Sequence, residues 1–293
     1  MKTEPFAIGM DVGGSHVSCA AVCLADGCLL ESSRSRVTIS HTEAASDILA
    51  AWAGAINDCL AGAGEDGCAG LGIAIPGPFD YTAGVSLMQH KFADLEGLDI
   101  SLALRPLLQM DANLPICYVN DAAAFGIGEA WQGQGRDEQR LLAITLGTGL
   151  GAAFMDRGIH QPRELWDQPW KEGIADDYFT TRWFTRSYLE QTGETVEGAF
   201  ELAERARAGQ QTSVNLFEQF GAGLGQFLTP WLADFECRFL LLGGNINGAY
   251  DLFGDALKSS LSVAGQDSTV QLSTLGENAA ILGAARLLEA GYH

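Results

Sequence analysis

The sequence predicts an α/β protein built twice on one plan. Strand-length apolar runs alternate with helical patterns along most of its 293 residues. The strand runs gather in two clusters, and each contains a Gly-rich turn between two apolar runs. The first is Ile8-Gly9-Met10-Asp11-Val12-Gly13-Gly14-Ser15-His16, and the second is Ile144-Thr145-Leu146-Gly147-Thr148-Gly149-Leu150-Gly151. The halves are not otherwise similar in sequence, so the repeat is one of topology.

Taken in order, strands are expected at Phe6–Val12, Ser18–Leu24, Cys28–Glu31 and Arg36–Ile39, at hairpin spacing. A helix is expected over about 43–60, with Ile48, Leu49, Trp52, Ile56 and Leu60 on one face. Residues 61–70 read as a loop, followed by a buried strand at Leu71–Ile75 that Pro76-Gly77-Pro78 ends. A short helix near Leu102–Leu108, a strand at Ile116–Val119 and a helix from Ala122 to Trp131 follow. The second cluster starts at Arg140–Leu146 and continues at Ala152–Met155. Helices are expected at Val196–Ala208, Ser213–Phe235 and about 278–290, with a strand at Arg238–Leu242. The boundary between halves is expected between Asn120 and Gly135, just before the second strand cluster.

Composition narrows the function. A formal net charge of −20 argues against a nucleic-acid partner, whose phosphates would be repelled. With 17 Lys and Arg in all, any bound phosphate must rely largely on backbone N–H groups and a metal ion. No apolar stretch reaches the roughly 20 residues of a membrane span. The start, Met1-Lys2-Thr3-Glu4-Pro5, leads into a strand that Asp11 interrupts, which is unlike a signal peptide. A cytoplasmic protein is expected. The seven cysteines form no CxxC pair, and Cys19, Cys23, Cys117 and Cys237, set in apolar runs, read as small buried hydrophobes in a reducing compartment.

Glycine-rich hairpins let backbone pass close to a ligand, and their successive N–H groups make a concave anion site. Asp11, at the end of a strand and before Gly13-Gly14, is either a turn-forming residue or a carboxylate that holds Mg²⁺ beside phosphate donors. Asn120-Asp121 stands where a buried strand passes into a helix. There Asp121 is either an N-cap or a general base for phosphoryl transfer. Thr148 can offer a hydroxyl to a phosphate, and Gly243-Gly244-Asn245 can admit an adenine or ribose to the backbone; both also fit plain turns. Two Gly-rich hairpins in one chain, the first ending in an acid, suggest opposed clamps on a nucleotide and its Mg²⁺. The sequence has no GxxxxGK[ST], no GxGxxG opening a helix, no HExxH and no Ser-His-Asp constellation.

Seven blocks occur in the order seen in the ROK family of repressors, open reading frames and kinases, and the chain resembles its sugar kinases over nearly its whole length. They are Asp11-Val12-Gly13-Gly14-Ser15, Gly72-Ile73-Ala74-Ile75-Pro76-Gly77-Pro78, Asn120-Asp121-Ala122, Gly128-Glu129, Leu146-Gly147-Thr148-Gly149-Leu150-Gly151, Leu242-Gly243-Gly244-Asn245 and Leu275-Gly276-Glu277-Asn278-Ala279. The resemblance implies two ribonuclease-H-like, actin-like kinase domains closing an interdomain cleft on ATP, Mg²⁺ and a sugar. It implies a first domain over 1–120, rejoined by a C-terminal helix at 278–293, and a second over 121–277. Asp11, Gly13, Gly14, Ser15, Gly147, Thr148, Gly149, Gly151, Gly243, Gly244 and Asn245 would then serve the nucleotide and metal. Asp121 would be the base, and Asn120 a sugar contact. A homodimer is implied as well.

The chain also departs from the family. His16 stands where a Lys or similar residue is usual, and Gln89-His90-Lys91-Phe92 stands where an Asn contact is frequent. The Glu-x-Gly-His sugar contact and the Cys-x-Cys-Gly-x-x-Gly-Cys zinc motif are both missing. Residues 158–178 hold no cysteine, so zinc is not expected there. Glu164 is the candidate replacement for the sugar-contacting Glu, with His160 a lesser one. Trp166, Trp170, Tyr178, Trp183 and Phe184 either wall a sugar pocket or, as is commoner, pack in a core or subunit interface. The expected activity is ATP-dependent phosphorylation of a hexose or related sugar. The alternative is a catalytically silent sugar or nucleotide sensor on the same fold; an acetate-kinase-like or hydrolase relative fits fewer of the blocks.

Overall fold

The structure is a computed structural model that describes residues 4–64, 66–290 and 292. Outside them lie the opening Met1-Lys2-Thr3, residue 65 of the expected 61–70 loop, and residues 291 and 293 of the expected C-terminal segment. The chain forms two compact units. One runs up to Arg136 and resumes at Glu277; the other is Asp137–Gly276.

In the first unit, β1 (Phe6–Val12), β2 (His16–Cys23) and β3 (Ser35–Thr38) form an antiparallel meander, packed on α1 (Ala45–Ala63). β4 (Cys68–Ile75) adds parallel to β1. A small hairpin of β5 (Phe79–Asp80) and β6 (Val85–Ser86) and the short helix α2 (Ile100–Leu104) lead to β7 (Ile116–Asn120), parallel to β4. Helix α3 (Asp121–Gln132) follows directly. The sheet order is β3-β2-β1-β4-β7. Along β1 the period-two alternation sends Ile8, Met10 and Val12 into the core with Ile48, Trp52 and Ile56 of α1. Gly9 and Asp11 therefore point to the opposite face.

The second unit repeats the plan. β8 (Arg140–Leu146), β9 (Leu150–Asp156) and β10 (Ile159–Gln161) form the meander, and β11 (Pro169–Trp170) pairs with β12 (Gly173–Ile174). Helices α4 (Thr181–Thr192), α5 (Ala199–Arg207) and α6 (Gln211–Asp234) precede β13 (Phe239–Gly243), which is parallel to β8. α7 (Tyr250–Val263) leads to β14 (Thr269–Leu272), parallel to β13. The order β10-β9-β8-β13-β14 mirrors that of the first sheet.

The chain then returns to the first unit as α8 (Asn278–Arg286). This helix lies against β1 and β4 at backbone distance. A Cβ on Gly72 would fall 1.9 Å from the Ala284 carbonyl oxygen, and one on Gly283 would fall 1.8 Å from that of Ala124 in α3. No side chain fits at either position, so these glycines let one helix lie close to both a sheet and a second helix. Because α3 packs on α8, the first unit extends through Arg136, just past the 120–135 interval in which the sequence places the boundary and beyond the domain bound at residue 120.

Other differences are local. The expected strand at Cys28–Glu31 is a single bridge, Val22 to Leu29, running into a 3₁₀ turn at Glu31–Ser33. Leu102–Leu108 is split between α2 and a 3₁₀ turn at Arg105–Leu107, where Pro106 cannot donate to a continuing helix. The aromatic segment is largely core: Phe184 and Tyr188 are fully buried, and Trp170 and Trp183 pack against Phe179, Phe220 and Phe227. Trp166 is exposed.

Candidate active site

In the first unit the site forms at the carboxyl ends of parallel strands, where α/β sheets bind ligands. The register places Asp11 opposite Ala74, and Ala74 and Ile75 opposite Val119 and Asn120. Asp11 and the Asn120-Asp121 pair thus come to one edge of the sheet. The β1–β2 turn is closed by Gly13 N–H donating to the His16 carbonyl at 3.0 Å. The N–H groups of Gly14 and Ser15 donate to nothing among the described residues. Two adjacent unused amides at an exposed bend make an anion nest.

Asp11 is the electrostatic centre of this unit. Burial first, then the charges of Asp121 and Glu277, push its carboxyl up to about 7. Across the strand pair stands Ser18, whose buried hydroxyl has no hydrogen-bond partner. A crowded carboxylate beside an orphaned hydroxyl suits a hydrated cation. Among the described residues no three His, Cys, Asp or Glu side chains gather as a ligand set, so a metal here would depend on Asp11, water and ligand phosphates. Mg²⁺ is commonly held in that way. Glu277 was not singled out for a role by the sequence. It arrives with the N-terminus of α8, paired to Arg36 at 2.5 Å and to His16 at 3.5 Å. His16 Nδ1 in turn meets the Ser15 hydroxyl at 3.2 Å.

The helix that carries Asp121 is capped by its neighbour. Asn120 Oδ1 accepts the N–H groups of Ala122 at 2.9 Å and Ala123 at 3.2 Å, and its amide donates to the Tyr81 hydroxyl. The N-cap explanation for Asp121 therefore does not hold; the cap is Asn120. The Asn120 amide also hydrogen-bonds to the Asp121 carboxylate. Asp121 is solvent-exposed as a residue, while protein fills most of its wider surroundings. That environment raises its carboxyl, and the Ala122 N–H, the Lys91 charge and Asn120 pull the other way.

In the second unit, Gly147 N–H donates to the Gly149 carbonyl at 3.2 Å, leaving the amides of Thr148 and Gly149 without acceptors among the described residues. The turn is braced from the α4 side. Thr181 donates its N–H to the Gly147 carbonyl at 2.8 Å, and Asp176 accepts the Leu150 N–H at 2.7 Å while pairing with Arg182. Gly243-Gly244-Asn245 comes to the same place, because β13 pairs with β8 as far as Gly243 opposite Thr145. Gly244 has φ +85°, and a Cβ there would lie 2.3 Å from the Leu146 carbonyl oxygen. Gly151 is the second residue of the returning strand, opposite Thr145.

Glu164 is less closely placed. Its neighbour Arg163 stacks on Phe154 and Phe235 and pairs with Asp234, near the start of β13. Asp176 is the carboxylate that the structure brings to the second Gly turn. Its signal in the sequence was only the pair Asp176-Asp177, with no pattern to set it apart. His160 lies on β10 with its Nε2 buried and unpartnered, and burial lowers its pKa.

Two α/β units on one plan, each with a Gly-rich hairpin at the carboxyl end of its sheet, define the actin-like, ribonuclease-H-like class of kinase fold. Within that class the chain belongs to the ROK family, which matches it over residues 7–161. It is 24% identical over 253 residues to a β-glucoside kinase of Klebsiella pneumoniae, with 80% of each chain covered. It is 26% identical over 259 residues to an N-acetyl-D-glucosamine kinase of Haemophilus influenzae, covering 76% of this chain and 81% of that one. The fold matches a ROK glucokinase of Streptomyces griseus solved with glucose and AMPPNP. That match has a TM-score of 0.75 and 22% identity, and covers 96% of this chain and 98% of the other.

Proposed function

We infer that this protein is an ATP-dependent sugar kinase that transfers the γ-phosphoryl group to a hydroxyl of a hexose or related sugar. One observation carries the reading: Asp11 and Asp121 stand at one sheet edge beside the unused amides of Gly14 and Ser15. A phosphate-binding turn, a carboxylate suited to Mg²⁺ and a second carboxylate in contact with solvent are the parts such a transfer needs.

Gly13, Gly14 and Ser15 would hold phosphate oxygens through backbone N–H groups, as would Gly147, Thr148, Gly149 and Gly151. The Thr148 hydroxyl would add a further donor. Gly243, Gly244 and Asn245 would lie along the nucleoside. Asp11 would hold Mg²⁺, directly or through water, and the ion would neutralise charge on the phosphates. Asn120 and Glu164 are proposed sugar contacts. Asp121 would orient the acceptor hydroxyl and take its proton. Burial raises its carboxyl, which makes it a stronger base than a free Asp, and the Ala122 N–H and the Lys91 charge oppose that rise. Zinc has no part in this reading. Reliance on ATP and the free cysteines favour a cytoplasmic setting. A homodimer belongs to the same reading, and light scattering on the purified protein checks it.

The experiment is an ADP-release screen with Mg²⁺ over hexoses, hexosamines and N-acyl sugars. The kinase reading expects turnover with at least one. Silence across the panel, with a sugar still raising the melting temperature, would favour a non-catalytic sensor.

A further inference from the structure

Lys91 is a cation without a fixed partner. The chain carries 17 Lys and Arg against 37 Asp and Glu, so most basic side chains can find a carboxylate. Arg36, Arg140, Arg163, Arg182, Arg205 and Arg207 all do. Among the described residues none closes an ion pair with Lys91, although its charge acts on Asp121.

The backbone next to Lys91 is anchored at some cost. The next residue, Phe92, is in the left-handed region at φ 51° and ψ 39°, which a bulky side chain rarely adopts. Its ring is fully buried, edge-on to Trp52 and His41 at centroid distances of 5.8 and 6.2 Å. Its N–H donates to the His41 carbonyl at 3.0 Å. The His41 ring reaches the first Gly turn, with Cδ2 3.9 Å from where a Gly14 Cβ would stand. Strain of this kind persists where surrounding structure enforces it, often at functional sites. One anchored bend thus ties Lys91 to the phosphate turn, while its charge reaches Asp121.

We propose that Lys91 is a further catalytic residue, whose ammonium meets the phosphoryl group as it passes from ATP to the acceptor hydroxyl. The proposal rests on the kinase reading. In that reaction the bond from the γ-phosphorus to the bridging β,γ-oxygen breaks, and a bond from the acceptor oxygen to the γ-phosphorus forms. The hydroxyl proton goes to Asp121 and ADP leaves, with no bond made or broken at Lys91. The reaction itself brings a polyanion next to the group that Asp121 deprotonates, so an unpaired cation there needs no additional ligand. A positive charge that meets the equatorial oxygens as their charge spreads stabilises the transition state more than the ground state.

The test uses Lys91→Met and Lys91→Arg with the best sugar of the panel, both checked for wild-type melting. Lys91→Met should lower kcat about 100-fold, the scale of losing one such donor. The KM for sugar should stay within about threefold, and inhibition by the sugar-phosphate product should weaken by about tenfold on the same argument. Lys91→Arg should keep part of the rate. An unchanged kcat in Lys91→Met, or a raised sugar KM alone, would overturn the proposal while leaving the kinase reading intact. Failure of the wild type to turn over any sugar would overturn both.

Discussion

Asp11 places a buried carboxylate where two other acids already act on it. Its carboxyl is raised to about 7, against about 3.9 in an unfolded chain. Between those values the unfolded chain has released the proton and the folded one still holds it. Metal-free stability must therefore fall as pH rises from about 4 to about 7 and then level off. Asp11→Asn has no such slope. In magnesium-free buffer it should melt close to wild type at pH 4 and above it at pH 8, by on the order of 2–4 kcal/mol over three pH units. Differential scanning calorimetry at the two pH values reads this; parallel behaviour would show that Asp11 is not a strained carboxylate. The strand-end Asp, the Gly pair after it and the Asn120-Asp121 step were all legible as motifs. That Asn120 takes the cap and frees Asp121 was not, because both residue types cap helices equally well.

At the scale of elements, α8 decides the first unit. Gly72 and Gly283 admit no Cβ without backbone movement, whereas Gly54, exposed within α1, has nothing within 4 Å of its Cβ position. Gly283→Ala should cost about 3 kcal/mol or prevent folding, while Gly54→Ala should gain about 0.5–1 kcal/mol through helix propensity. Thermal melts of the two variants make the comparison; equal melting points would contradict the close packing of α8. Long apolar helices such as α1 and α6 were readable from period alone. α4 was not, since its apolar residues are mainly aromatic and read as a pocket wall or interface. β14 has four residues and only Val270 and Leu272 to mark it. The contact of α8 with α3 depends on Gly283 lying against Ala124 and Gly128 against Ala279, from distant parts of the chain, which no local pattern records.

For the whole molecule, the net charge of −20 sets a long-range field that repels a nucleotide. The local amides must overcome it. Raising ionic strength from about 20 to about 200 mM should screen that repulsion, so affinity for Mg-ATP should hold or improve. Titration calorimetry at the two salt levels measures it, and a steep loss of affinity would point to a basic binding patch absent from this account. The twofold plan was legible because strand clusters and Gly turns repeat in order. Its closure was not: Glu277 comes from near the end of the chain to act on Asp11, and only the folded topology brings them together. The missing zinc cysteines were equally plain in the sequence, but the sugar that the altered 158–178 segment accepts is not written in any motif.

The most direct measurement follows phosphorus from ATP to product by ³¹P NMR, in wild type and in Asp121→Asn, with the sugar panel and Mg²⁺. The account predicts a sugar-phosphate resonance for at least one sugar in the wild type. It predicts a loss of at least about 1,000-fold in rate for Asp121→Asn, within the range expected for general base removal, with nucleotide affinity nearly unchanged. A variant that forms sugar phosphate at the wild-type rate would contradict it.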